Sequence, residues 1–302
     1  MSGRRTLLVL AGAGLVVASA IAVPLWAQRD TSEAAGEAPP PHQGRFIVDC
    51  DYSHSLPDDP IVYPRAPGAS HLHDFFGATE ANAFTRAETL VEGDTTCETQ
   101  QDTAGYWAPA LLDGEGRPIE PIGSDAYYRA GPGVDPQDVE PFPFGLTIIG
   151  GDASATEAQD TAVVGWSCGP NPLRHTTPPP CQEGNPLILR VTFPDCWNGE
   201  DLTSPDHLSH MARSGPDGCP DEHPVAVPQL EFVVEYPVYG ADAAELYLAS
   251  GSIETAHADF YNAWEPEKLA DEVRYCINAD VVCGSPSLTG EGVPQPSSSG
   301  IP

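Results

Sequence analysis

Eight cysteines, none of them in a C-x-x-C pair, constrain this chain more than any other feature. Upstream of all of them, Arg4 and Arg5 precede Thr6 to Val23, an uncharged run of apolar and small residues that reads as an export signal. In an exported chain, cysteines without the spacing of a zinc or redox motif are expected in disulfides. Closure over short range pairs Cys168 with Cys181, Cys196 with Cys219 and Cys276 with Cys283, which leaves Cys50 for Cys97. The twin Arg followed by Thr6-Leu7-Leu8 resembles a twin-arginine signal, with cleavage expected after Ala20 or Ala27. The alternative is an uncleaved anchor, because the run is long enough to span a bilayer. The expected location is therefore secreted, or membrane-anchored and facing outside.

Charge narrows the partners. The formal net charge is -31, and Lys268 is the only lysine. Nucleic acid and anionic membrane surfaces require a basic patch, so neither is expected, and anionic polysaccharides are disfavoured. Contact with a membrane is expected only through an uncleaved N-terminal segment, and the chain is expected to be a monomer kept soluble by its charge. There is no D-x-D-x-D-G calcium loop, no G-x-S-x-G elbow and no glycine-rich nucleotide loop.

Residues 1–27 are the export signal or anchor, and residues 28–44, charged and proline-rich, read as a disordered tether. The folded domain is expected over 45–284, followed by a Ser/Gly/Pro-rich disordered tail over 285–302. Short runs with strand composition recur through the domain: Phe46 to Val48, Ala126 to Tyr128, Gly145 to Ile149, Val163 to Ser167, Leu187 to Phe193 and Gln229 to Tyr236. Tyr106 to Leu112, a turn at Asp113 to Gly116, and Arg117 to Ile122 read as a hairpin. Clusters of Pro, Gly and Asp bound these runs. Pro266 suits a first helical position, with Leu269, Val273, Cys276 and Ile277 at helical spacing after it. The fold class is mainly β: an antiparallel two-layer β-sandwich, jelly-roll-like, with long Pro/Gly-rich loops, disulfides and a short C-terminal helix.

Three histidine-bearing stretches, read as loops, suggest one site. HLHDFF carries His71, His73 and Asp74; SPDHLSH carries Asp206, His207 and His210; HADFYNAW carries His257, Asp259, Tyr261, Asn262 and Trp264. His71 and His73 would project to one face of an extended segment. His207 and His210 would meet on a helical turn. As a metal site, His71, His73, His207 and His210 would favour zinc or copper, with a carboxylate such as Asp259 orienting a ring. As an acid–base site, the histidines and Asp206 or Asp259 would pass protons, while Trp197, Tyr261, Asn262 and Trp264 would hold a sugar. A purely structural role, satisfying the backbone of irregular loops, is the third reading.

The motifs HLHDFFG, YWAPALL, FPFGLTIIGGD, WSC, FPDCWNGEDLTSPDHLSHMA, CPDEHPVAVPQLEF and HADFYNAWEPEKLADEVRYC follow one another from Arg45 to Cys276. In that order they resemble the family called domain of unknown function 1996. The resemblance implies export and a glycan context, since such domains occur in secreted fungal and bacterial proteins, in fungi sometimes beside carbohydrate-binding WSC modules. In the fungal relatives an amide usually stands at Asp74 and Gly at Ala263; Cys50 and Cys283 are additions to the common pattern. The expected function is a carbohydrate-active enzyme, hydrolase or lyase, cleaving a neutral cell-wall polysaccharide with His71, His73, Asp206, His207, His210, His257 and Asp259. The alternatives are a zinc- or copper-binding protein using the same imidazoles, and a non-catalytic wall-binding module.

Overall fold

Alternation along Gln229–Tyr236 sets the first layer, because Leu230, Phe232, Val234 and Tyr236 all turn to one side and are fully buried there. The computed structural model describes residues 44–284; the export segment, the tether and the tail expected from sequence lie outside them. Ten strands make the two main sheets. They are β1 (Arg45–Cys50), β2 (Tyr52–Leu56), β3 (His73–Gly77), β4 (Gly105–Pro109), β5 (Gly123–Arg129), β6 (Thr147–Gly151), β7 (Val164–Cys168), β8 (Leu187–Thr192), β9 (Gln229–Tyr236) and β10 (His257–Tyr261). One sheet runs β1-β5-β9-β8-β7, the other β2-β3-β4-β10-β6, and every neighbour is antiparallel.

The two sheets pack face to face as a sandwich. Phe232 of the first sheet meets Phe76 and Tyr106 of the second, each with ring centroids 5.5 Å apart. The chain passes from one sheet to the other between β1 and β2 with Asp51 alone at the corner. The second sheet is buried on its far side too. There Phe75 and Trp107 pack with Ile61, Ala81 and Leu90, contributed by the long connections that follow β2 and β3. This smaller core makes the second sheet the middle of three layers over part of its area.

The expected hairpin forms only close to its turn, where Asp113 N–H donates to the Arg117 carbonyl at 3.0 Å and Ile119 N–H to the Leu111 carbonyl at 2.8 Å. Pro118 and Pro121 have no N–H to give a ladder, so the pairing does not extend beyond the bridge between Leu112 and Pro118. On its other side Leu111–Leu112 pairs with Tyr247–Leu248, and β4 takes β3 and β10 as neighbours. The C-terminal helix α1 (Pro266–Glu272) starts at Pro266, as the sequence predicts, with the Glu265 carboxylate accepting from the N–H groups of Glu267 and Lys268. It continues as a π-helical turn over Val273–Ile277. The four disulfides are Cys50–Cys97, Cys168–Cys181, Cys196–Cys219 and Cys276–Cys283, the pairs that short-range closure selects. Among the described residues no helix is long and apolar enough to cross a membrane.

One polar chain runs through the core. The Trp264 indole N–H donates to the Tyr128 hydroxyl, which is bonded to the Tyr106 hydroxyl, and Tyr106 donates to Asp102 at 2.6 Å. Burial pushes Asp102 up to about 8, against the pull of the Tyr106 and Ala104 donors. The folded state thus keeps a proton that the unfolded chain releases, and stability from this group declines as pH rises from 3.8 towards 8. Replacing Asp102 by Asn removes that term. The unfolding free energy of Asp102→Asn relative to the parent, measured by urea denaturation, is expected to improve steadily across this interval; a pH-independent difference would show that Asp102 does not titrate there.

Candidate metal centre

His257 and Asp259 lie two residues apart on β10, so both rise from the same face of the second sheet. This is the face turned away from the first sheet, because the alternate residues Ala258 and Phe260 belong to the main core. Register fixes their company. Asp259 stands opposite Trp107 on β4 and Ile149 on β6, and Trp107 stands opposite Phe75 on β3. One pair further along, His73 is opposite Pro109, and His257 is opposite Gly151. Continuing the β4–β10 register sets Pro109 between the two histidines. Neither Pro109 nor Gly151 raises a long side chain, and the imidazoles of His73, His257 and the upstream His71 close over the space.

The ring centroids are 4.2 Å apart for His71 and His73, 5.1 Å for His71 and His257, and 5.8 Å for His73 and His257. One nitrogen from each ring falls within 4.8 Å of the others. Two of the three tautomers are fixed by the backbone. His73 Nδ1 lies 2.9 Å from the Asp58 carbonyl and His257 Nδ1 2.8 Å from the Thr255 carbonyl. A carbonyl only accepts, so each Nδ1 carries the proton and each Nε2 turns a lone pair inward. Among the described residues the Nε2 atoms of His71 and His73 are buried without a hydrogen-bond partner, as is Asp259 Oδ2, which lies 3.9 Å from His257 Nε2.

Burial governs the charges. It brings His71 down to about 4, with repulsion from His257 adding to the effect. His73 is pushed well below the usual imidazole range by burial and by both neighbouring histidines. Burial also lowers His257, although its bond to Thr255 and the nearby Asp152 oppose the shift. Asp259 is pushed well above the usual carboxylate range by burial and by Asp59. The result is a pocket of neutral nitrogen donors flanked by a carboxyl group. Such a set suits a borderline transition metal held by imidazole, with backbone carbonyls orienting the rings from behind.

The residues supplying those carbonyls were not singled out in the sequence. Asp58 is anchored where its own carboxylate accepts from the N–H groups of Gly68 and Ala83, at 2.8 and 3.0 Å. Asp59 Oδ1 accepts from Ile61 and Val62, both at 2.9 Å. Together they fix the loop that covers the histidines. The one available signal was the adjacent Asp58-Asp59-Pro60 in a loop leading to His71.

The third histidine stretch does not join the cluster. His210 spends both ring nitrogens on the fold: Nε2 donates to the Thr147 carbonyl at 2.7 Å, and Nδ1 accepts from the Ser204 N–H at 3.3 Å, with the Ser204 oxygen 3.0 Å away. Asp206 is an exposed turn former, its Oδ1 accepting from Ser204, Leu208 and Ser209, and these donors hold it well below the usual carboxylate range. His207, at a left-handed φ of 61°, stands near enough to Asp59 to favour its ionised form. Two of the residues expected to hold sugar are interior. Asn262 donates to the carbonyls of Phe142 and Pro143 and accepts from the Trp264 N–H. Trp264 has no exposed surface and packs edge-on against Phe46 and Tyr128, so its ring has no face to offer a ligand. Trp197 is half-buried with its indole N–H given to the Asp201 carbonyl, and Tyr261 is half-buried against the smaller core.

A family model described as Domain of unknown function (DUF1996) matches residues 59–264. The chain belongs to that family. No curated protein and no solved structure matches it. The matched span of the DUF1996 domain includes His71, His73, His257 and Asp259, and so contains the whole cluster. It includes His210 as well, so the family boundaries do not separate a ligand-type histidine from a structural one. Substitution does. His210→Ala strands the Thr147 carbonyl and is expected to destabilise the domain by about 1–3 kcal/mol, measured by chemical denaturation, while leaving the other three histidines as they are.

Proposed function

We propose that this exported DUF1996 domain is a metalloprotein that holds one zinc or copper ion on His71, His73 and His257, with Asp259 at its side. The observation that carries this reading is the inward convergence of the three imidazoles, two of them turned lone pair first by the Asp58 and Thr255 carbonyls. Neutral lone pairs directed at one another repel, and burial denies these rings the protons that would relieve the repulsion. A cation relieves it and compensates a carboxylate at Asp259. The export assignment is supported by four disulfides, which persist in oxidising compartments.

The same site would serve metal-assisted cleavage of a neutral polysaccharide, the ion acting as a Lewis acid. Support for a neutral substrate comes from charge, since a chain of net -31 repels polyanions. His71 is the partly exposed member and marks the side from which a substrate would approach. One feature favours a second, metal-free reading: Asp259, held protonated, lies beside the unprotonated His257 Nε2 and could exchange a proton with it.

Elemental mass spectrometry of the purified protein decides between them. About one equivalent of zinc or copper is expected, lost from His73→Ala and His257→Ala and retained by His210→Ala. Asp259→Asn is expected to weaken retention roughly 10–100-fold, the usual effect of losing a group that supports a metal site. A folded protein that takes up no zinc or copper after chelation and reloading would overturn the metal reading and leave proton exchange between His257 and Asp259.

A further inference from the structure

The outer face of the first sheet carries a second built site. Glu231 on β9 is buried, and its register sets it opposite Tyr127 on β5 and Thr192 on β8. Three guanidinium groups converge on its carboxylate. Arg129 and Arg174 donate to Oε2 at 2.8 and 2.9 Å, and Arg190 donates to Oε1 at 3.1 Å. Burial would raise Glu231, but the three arginines together hold it below the usual carboxylate range. Above this group opens a cleft of about 460 Å³ whose lining also includes Arg45 and Tyr127.

The charges do not balance. Arg129, Arg174 and Arg190 make their only ion pairs, among the described residues, with the single carboxylate of Glu231. Guanidinium stays charged at any pH at which the protein folds, so the trio leaves a surplus of two positive charges at the floor of a cleft in a chain whose overall charge is -31. The nearest relief along the sheet, from Asp125 and Glu235, reaches Arg190 only through space. Donors are left over as well. Arg129 uses one Nη on Glu231, and its Nε and other Nη carry no partner among the described residues on a side chain 40% exposed. Arg190 likewise commits Nε to Ser167 and one Nη to Glu231, leaving the second Nη without a partner among the described residues.

We propose that this cleft binds an oxyanion group of a small molecule, a phosphate, sulfate or carboxylate, held by the forked donors of Arg129 and Arg190 with Arg174 behind them. Forked guanidinium donors match the oxygen spacing of such groups. The acidic remainder of the chain turns away a long polyanion, so the site selects one anionic group on a compact ligand. Glu231 has a definite role here. It preassembles the arginines when the cleft is free of ligand and lowers affinity when it is filled.

The test is calorimetric titration of the purified, chelator-treated protein at low ionic strength with sodium phosphate, sulfate and acetate, using chloride as background. Chelation removes any contribution from an anion on a metal ion. Saturable binding of at least one oxyanion is expected, with phosphate and sulfate favoured if the group is tetrahedral and acetate if it is a carboxylate. Arg129→Gln is expected to weaken binding about tenfold, the loss of one charge-assisted pair. Glu231→Gln is expected to strengthen it, and the anion to raise the midpoint of thermal unfolding more in that variant than in the parent. Arg117→Gln, on an exposed turn with Asp113 and Glu115, leaves affinity unchanged. Absence of binding by all three anions, or equal affinity in the parent and Arg129→Gln, would overturn the proposal. So would weaker binding by a folded Glu231→Gln, which would make the cluster a purely internal ion-pair network.

Discussion

The strand β10 is covered on both sides, and most of what is distinctive in this domain follows from that. Ala258 and Phe260 face the core between the sheets, whereas His257 and Asp259 face a second cover laid down by the loop through Asp58 and Asp59. Polar side chains on an open sheet face would be solvated and ordinary. Under a cover, every nitrogen and oxygen must find a partner or leave a cost. His257 Nδ1 and His73 Nδ1 find backbone carbonyls; His73 Nε2 and Asp259 Oδ2 find no hydrogen-bond partner among the described residues. The same covering that makes the second sheet a middle layer therefore also concentrates unspent ligand atoms in one place.

Much of the architecture was legible because it is written in local patterns. The eight-residue alternation of β9 predicts its own strand to the residue, and Pro266 predicts the start of α1. Spacing along the chain selects the disulfides, since joining the cysteines as consecutive pairs gives the shortest set of loops. The hairpin is shorter than expected because composition shows strand-forming side chains but understates what Pro118 and Pro121 remove from the backbone. HADFYNAW was read as a loop because its polar His and Asp mask a central strand whose two faces are both buried.

The sites were legible in part, for a related reason. His71 and His73 declare themselves by their spacing, but their meeting with His257 depends on strand order, β3-β4-β10, which composition does not encode. His210 looks equivalent in sequence and differs in having partners within the fold for both ring nitrogens, the Thr147 carbonyl and the Ser204 N–H. Net charge hides the arginine cleft altogether. Arg129, Arg174 and Arg190 are scattered through an acidic chain and are gathered only by the pairing of β5, β9 and β8 and the return of the loop before Leu187.

The corner at Asp51 bears on how the two layers can move. A chain that leaves one sheet and enters the other across one residue cannot let the layers slide without bending at that point, and the Cys50–Cys97 bond sits beside it. Sandwich sheets joined only by long loops can shear past one another; here the joint acts as a stop. Deformation is then directed into the loops over the outer faces, so those covers can breathe while the spacing between the strands beneath them is preserved.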